Sequence, residues 1–435
     1  MEQFWLSVFL LIVLAVLLAG GLWIALVLTA MGWVAMEFFT STPVGRLMAT
    51  TVWGSSTSWS LTALPLFIWM GEILFRTRIS QDMFRGLAPW LTHVPGRLMH
   101  CNVLGCGIFA AISGSSAATA ATIGRITIPE LTRRGYYEPM AIGSLAGAGT
   151  LGLLIPPSII MIVYGVAANV SIARLFIAGV LPGAVLVLLF SGYIAGWALL
   201  NRARTPPSDI RMTFLEKLAA SRYLIPTVLL IIAVIGSIYA GVATPTEAAV
   251  LGVVGSLLLA LVSRSLTWKT FSASVMGATR TSCMIAFILA GASFLTVAMG
   301  FTGIPKAMAA WITQQNLSSG MLIAALTVLY IILGCFIDGI SMVVLTAAVI
   351  LPTIHAAGID LLWFGVFIVI VVEMAQITPP VGFNLFVLQG LTGKNIFYIG
   401  RAALPFFMLM VIAVVVIWAF PELVTYLPQR MMGGG

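Results

Sequence analysis

Charge is what this chain has least of. Asp, Glu, Lys and Arg make up 8% of its 435 residues, where a soluble domain carries about 25%. With 61% hydrophobic residues there is too little polar surface to coat a particle in water, which excludes an ordinary soluble domain. Cysteine and histidine are scarce as well. Cys101, Cys106, Cys283 and Cys335 lie in apolar segments, with no CxxC pair and no histidine at metal-ligand spacing. They read as small core residues, which excludes a disulfide scaffold or a zinc centre. His93, His100 and His355 flank apolar segments and read as interfacial. The formal charge of +8 does not make a nucleic-acid surface, because the basic residues sit at run ends and in short loops. That placement is a topology signal.

What the chain has in abundance is uncharged apolar sequence. Ala141–Ala173, Leu175–Leu200 and Ala402–Phe420 are each long enough to cross a bilayer, which takes roughly 20 residues. The first run extends from Trp5 to Trp33, too long and too poor in N-terminal basic residues for a cleaved leader. It reads as one retained helix, followed by a short span near Gly45–Ser55 and another over Trp59–Phe75.

Inside the apolar sequence lies a repeat. Ser113-Gly114-Ser115-Ser116, Pro129, Gly135 and Pro156-Pro157 recur as Asp338-Gly339-Ile340-Ser341, Pro352, Gly358 and Pro379-Pro380, with 223 residues between Pro129 and Pro352, and again between Pro156 and Pro379. Paired helix breakers in matching places of two halves point to a transporter whose site lies where interrupted helices meet. The expected fold is an all-α polytopic membrane protein of two inverted repeats, residues 1–200 and 223–435, joined by a polar stretch, 201–222. Each repeat has scaffold spans, a surface arm (76–96 and 304–316), a re-entrant hairpin (102–134 and 318–357) and a Pro-Pro-interrupted helix (137–169 and 361–391).

The inversion follows from charge. Arg97, Arg133 and Arg134 flank the base of the first hairpin, which places it in the cytoplasm. No Lys or Arg occurs between Gln314 and Gly393, so the base of the second faces outward. Counting spans from there leaves the joint and the pairs Arg264/Lys269 and Lys394/Arg401 inside, and both termini outside.

Broken backbone is tolerated at membrane depth only where protein or a water-filled cavity satisfies it. Each break ends one half-helix with free carbonyls, which attract Na⁺, and begins another with free N–H groups, which attract carboxylate. Ser113, Ser115 and Ser116 add hydroxyls and can cap the second hairpin arm; Thr378 does the same before Pro379. The candidate substrate-binding set is Ser115, Ser116, Ser158, Asp338, Gly339 and Asn384. Asp338 reads equally as a cation ligand or a helix cap. Glu373 and Arg125 are ionisable residues deep in apolar sequence. Glu247, two residues after Pro245, reads as a helix start, and Glu72 and Arg280 as interhelical or near-interface charges.

Taken together, Ile112-Ser-Gly-Ser-Ser-Ala117, Gly152-Leu-Leu-Ile-Pro-Pro-Ser158 with Tyr164-Gly165, Ala243-Thr-Pro-Thr-Glu-Ala-Ala249 and Thr378-Pro-Pro-Val-Gly-Phe-Asn-Leu-Phe386 resemble the large membrane subunit of TRAP (tripartite ATP-independent periplasmic) transporters. The resemblance implies Na⁺-coupled, ATP-independent uptake of an organic acid across a bacterial inner membrane, with Na⁺ as coupling ion and no other cofactor. It implies a periplasmic substrate-binding protein and a small four-helix membrane subunit as partners. Because the chain opens almost directly on its first span, that subunit is expected as a separate chain. The implied motor is an elevator, in which hairpins and broken helices move as a block against the scaffold. Carried over residue by residue, one Na⁺ site uses Ser113, Ser116, Gly152, Ile155 and Pro156, and the other Gly334, Ala375, Thr378 and Val381. The family often has glycine where this chain has Ala375; a carbonyl ligand survives that change with less backbone freedom.

Three rivals are weaker. The surface arms and family motifs argue against a stand-alone Na⁺/dicarboxylate symporter of similar architecture. A permease of an ATP-driven importer lacks paired re-entrant tips. An intramembrane serine protease built on Ser115 or Ser116 lacks a Gly-x-Ser-Gly run and a histidine within a span to act as base.

The charge argument makes a direct forecast. In a background without native cysteines, a single cysteine at position 134 labels only from the cytoplasmic side and one at 357 only from outside. Labelling of both from one side rules out the inverted arrangement.

Overall fold

A computed structural model describes residues 2–77, 79–206, 212–314, 318–380 and 382–431, which are helical throughout with no strand among them. The element order repeats at the offset read from the prolines. The second arm of the first hairpin is Ser116–Arg133 and its counterpart is Gly339–Ala356; the broken helices begin at Glu138 and Leu361. Before them, Glu2–Ala19 and Ile24–Phe39 correspond to Ile225–Tyr239 and Pro245–Val262. The opposite orientation of the halves is a question of membrane sidedness and is taken up below.

Among the described residues five helices are each long and apolar enough to cross a membrane: Ile172–Leu200, Pro245–Val262, Trp268–Thr302, Gly339–Ala356 and Ile396–Ala419. The fourth nevertheless belongs to a hairpin. Its Thr346 hydroxyl is 2.7 Å from that of Tyr330 on Ser319–Gly334, and a Cβ on Gly334 would lie 3.5 Å from Met342 Cε, so the two arms run side by side. In the first hairpin a Cβ on Gly105 of His100–Ser113 would lie 3.6 Å from Ile123 across the arms, and the Leu98 N–H reaches the Tyr136 hydroxyl at the base.

Three readings of the N-terminal half change. The run Trp5–Trp33 is two helices, parted at Gly20-Gly21, where Gly21 takes φ +72° and stops the first. The short second span and the third form one path, because Val44–Ser56 and Trp59–Phe75 meet at a 54° bend. Three helical paths therefore still precede the first hairpin, with other boundaries. The counterpart of the bent path in the second half is the single 35-residue helix Trp268–Thr302, about 50 Å long at 1.5 Å per residue. Two smaller expectations change too: Cys283 is exposed, and His100 is buried with its ring nitrogen 2.7 Å from the Pro95 carbonyl. Glu247 does start a helix, in a capping box with Thr244, and Glu72 pairs with Arg76 at 2.7 Å.

The surface arm contains the helix Ile79–Leu91, laid against the first hairpin. The joint is pinned to it: Trp90 donates to Ser221 at 2.8 Å and stands edge-on to Phe214. Pro207 and Ser208 of the joint lie outside the described residues. Small residues set the helix spacing, as they do where lipid offers no hydrophobic drive for association. A Cβ on Gly291 would lie 2.7 Å from the Ala25 carbonyl, one on Gly252 2.4 Å from Met70 Sδ, and one on Gly143 2.1 Å from the Ala402 carbonyl.

Gly143 gives a test of that spacing. Gly143→Ala forces apart the helices that begin at Glu138 and Ile396, and should cost about 1–3 kcal/mol, read as a lower thermal midpoint in detergent. Gly192, with nothing within 4 Å of its Cβ position, should tolerate alanine with no loss.

Candidate functional site

The first hairpin tip is built by its own hydroxyls. The first arm stops at Gly114, φ +60°, and Ser115 starts the second by accepting the Ala118 N–H at 3.4 Å. The Ser113 hydroxyl lies 2.7 Å from that of Thr119 and 3.4 Å from the Ser115 carbonyl. Opposite stands the first Pro-Pro break. Pro156 and Pro157 have no N–H, so the carbonyls of Gly152 and Leu153 lose their helical donors. Ser158 repairs one, donating to Leu153 while accepting the Met161 N–H at 3.3 Å. The Gly152 carbonyl has no such substitute.

Tip and break brace each other. The Ile159 N–H donates to the Gly114 carbonyl at 3.3 Å. A Cβ on Gly152 would lie 2.5 Å from the Ser115 carbonyl and 2.7 Å from the Thr119 hydroxyl, so glycine is required there. The scaffold touches the same tip, with Gly71 against the Ser113 carbonyl at a Cβ distance of 2.9 Å.

The second tip solves the problem with a carboxylate. Asp338 is exposed and accepts the N–H groups of Ile340 and Ser341 at 3.1 and 3.2 Å; of its two readings, the structure takes the helix cap. Its break is at Pro379-Pro380, which deprives Ala375 and Gln376 of donors. Thr378 answers with its N–H to Ala375 at 3.1 Å and its hydroxyl to Met374 at 2.8 Å. A Cβ on Gly334 would collide with that of Ala375, and one on Gly339 would lie 2.5 Å from Val372 and 2.8 Å from Gln376 Nε2. Val381, the fourth member of the second cation set, lies outside the described residues.

The two tips meet through the broken helices. Ile159 is bonded to the first tip, and Ile160 Cδ1 lies 3.3 Å from the Cβ position of Gly339 on the second. From the other half, Glu373 lies against Ser116 of the first tip while Gln376, one turn on, lies against Gly339. Ser116, Ser158, Gly339 and Asn384 are buried and Ser115 half-buried. Neither polar atom of the Asn384 amide has a partner among the described residues. The helix it opens, Phe383–Thr392, has no side-chain cap, so its first N–H groups stay available to an anion.

Thr119, Gln376 and Ser341 belong to this centre and were not singled out by sequence. Each is a lone polar residue in small or apolar surroundings, and its one signal is lying within a turn of a helix breaker. Among the described residues there is no group of three His, Cys, Asp or Glu suited to a metal ion. The donors are hydroxyl, amide and backbone oxygens with one carboxylate, which is alkali-cation chemistry rather than that of a transition metal. A cavity of about 860 Å³ lies elsewhere. It runs between the scaffold (Thr50, Ser58, Ser293, Thr296), the loop after the first broken helix (Asn169, Ser171) and Ala347 of the second hairpin, and no ionisable residue lines it.

Residues 11–423 match a family model described as the tripartite ATP-independent periplasmic transporter, DctM component. The C4-dicarboxylate TRAP transporter large permease protein DctM of Pseudomonas aeruginosa is 33% identical over 88% of this chain and 90% of its own length. The isethionate TRAP transporter permease protein DctMQ of Oleidesulfovibrio alaskensis is 30% identical over 84% of this chain and 58% of its own. Among solved structures, the YdaH transporter of Alcanivorax borkumensis shares the fold with a TM-score of 0.63, covering 94% of this chain and 97% of that one at 11% identity.

The repair at the first break has a measurable cost of removal. Ser158→Ala leaves the buried Leu153 carbonyl without a donor and should cost about 1–3 kcal/mol in thermal stability. Ser171→Ala removes the same kind of helix cap at an exposed position and should cost less, about 1 kcal/mol. Equal losses at the two sites mean that burial plays no part.

Proposed function

Because the chain belongs to the DctM component family of tripartite ATP-independent periplasmic transporters, we propose that it couples Na⁺ entry to the uptake of an organic acid. Membership makes it a TRAP large permease subunit: a multi-pass membrane transport protein, not an enzyme, so Ser115 and Ser116 are not nucleophiles. The observation that carries the coupling is the convergence of two hairpin tips and two broken helices on one buried centre furnished with oxygen donors and an uncapped helix N-terminus.

In this reading one Na⁺ is held by Ser113 and Ser116 with backbone oxygens of Gly152, Ile155 and Pro156. The Gly152 carbonyl, stripped of its donor by Pro156, supports the assignment. The other is held by Gly334, Ala375, Thr378 and Val381. The acid is a carboxylate, as for the C4-dicarboxylate relative in Pseudomonas aeruginosa. It binds the N–H groups that open Phe383–Thr392, the Asn384 amide, and Ser115, Ser116 and Ser158 across the centre. Asp338 has its Oδ2 turned to its own helix and its carboxylate repels an anion, so the second tip contributes mainly the wall at Gly339.

Movement is by elevator, the hairpins and broken helices travelling together across a bacterial inner membrane. The offset shared by the second hairpin arms and the starts of the broken helices, and the basic residues at the first hairpin base, support two repeats of opposite orientation. A periplasmic binding protein and a small four-helix membrane subunit, a separate chain, complete the machine; the name DctMQ, which joins two components in the isethionate relative, supports the second partner.

Uptake of radiolabelled C4-dicarboxylate into proteoliposomes with both partners tests the proposal. It should require an inward Na⁺ gradient and ignore ATP. Ser116→Ala and Thr378→Ala should each raise the half-saturating Na⁺ about tenfold, the equivalent of about 1.4 kcal/mol, with a far smaller change in substrate affinity at saturating Na⁺, because backbone N–H groups hold most of the anion. Full uptake in choline at constant pH sinks Na⁺ coupling. Robust uptake by this chain alone favours a stand-alone symporter.

A further inference from the structure

Among the described residues Glu373 is the only buried acid, 1% exposed. It lies on Leu361–Gln376, every residue of which from Leu362 onward is buried. Neither carboxylate oxygen has a hydrogen-bond or ion-pair partner among the described residues. The Ser116 hydroxyl lies against it without closing a well-formed hydrogen bond. One turn on, on the same helix face, Gln376 is 8% exposed; its Nε2 is turned to the second tip and its Oε1 is also without a partner. A bare carboxylate in apolar surroundings is not left uncompensated by a folded protein. With no basic side chain paired to it, the compensation is a small cation or a proton.

We propose that Glu373 is the anionic ligand of a Na⁺ ion bound between the first hairpin tip and the second broken helix, with Ser116 Oγ and Gln376 Oε1 as neutral ligands. The inference rests on the reading of the chain as a Na⁺-coupled transporter and adds a charge to it, since the two ligand sets above are wholly neutral. Two unpartnered oxygens one helical turn apart, beside a hydroxyl from the opposite half, form the oxygen-rich and proton-poor environment that a hard monovalent cation takes. A carboxylate there also explains how an empty transporter is kept from cycling. With the ion bound, the pair is neutral and crosses a low-dielectric seam; without it, the block carries a bare charge and stays where it is.

The isostere Glu373→Gln decides the matter, because a glutamine matches a neutral, protonated glutamic acid and lacks only the charge. The full-length chain in lipid nanodiscs is titrated with NaCl, ionic strength being held with choline chloride, and the thermal midpoint is followed. Wild type should be stabilised by Na⁺ and not by choline. Glu373→Gln should need at least tenfold more Na⁺ and show a lower Hill coefficient, while its midpoint in choline stays at or above that of wild type. Glu373→Asp, with the carboxylate withdrawn by one methylene, should fall between; it answers the question if the glutamine variant does not fold. A wild-type Na⁺ titration in either variant overturns the proposal and makes Glu373 a neutral, structural acid. Absence of any Na⁺ response in wild type removes the Na⁺ reading itself, and the inference with it.

Discussion

Hydrocarbon offers no hydrogen bonds, so every interrupted helix at membrane depth must find partners for the carbonyls and N–H groups that it exposes. The four interruptions here are satisfied largely by one another. Ile159, the first residue after one break, donates to Gly114 at a tip; Ser158 serves the Leu153 carbonyl that Pro157 abandoned; Thr378 serves Met374 and Ala375 before the other break. Glycine stands at 152, 334 and 339 because tip and break lie closer together than a side chain allows. The carbonyls and N–H groups left over after these repairs are the ones proposed above to bind ion and substrate.

The backbone plan was legible because it rests on residues that act through the main chain. Proline removes a donor wherever it stands, so Pro156-Pro157 and Pro379-Pro380 announce their breaks without any knowledge of neighbours. The arms Ser116–Arg133 and Gly339–Ala356 follow at one offset. The division at Gly20-Gly21 was hidden because lipid asks for apolar residues on both sides of a turn, so hydropathy runs on from Trp5 to Trp33 without marking it. The repeat itself held the clue: Pro245 opens the counterpart of Ile24–Phe39, so a helix start was due there. The bend between Val44–Ser56 and Trp59–Phe75 was less readable, since Trp268–Thr302 continues through the equivalent place.

Side-chain roles were legible only where they are local. Ser115, Asp338 and Thr244 cap the helices that follow them, and capping depends on the next three residues alone. Thr119 acts on Ser113 across the tip and Gln376 lies against Gly339 of the second hairpin, and neither contact is written in the neighbouring residues. Glu373 was visible as an acid among apolar residues, but Ser116, which it lies against, is in the other half of the chain.

That pairing shows how the two halves divide their labour. At the shared offset Ser113 and Thr119 face Phe336 and Met342, so the hydroxyl network of the first tip has no copy in the second. Glu373, Gln376 and Asn384 fall opposite Thr150, Leu153 and Met161, so the carboxylate and amides of the second broken helix have none in the first. The repeat supplies the same helix ends twice, while the polar side chains are concentrated on the first tip and the second break, which touch at Ser116 and Glu373. Two structurally equivalent sites are therefore not chemically equivalent. Because the polar half of each repeat is completed by the other, displacement of either hairpin or either broken helix alone would uncover unpartnered groups. That is a physical reason for the proposed elevator, in which these elements travel together.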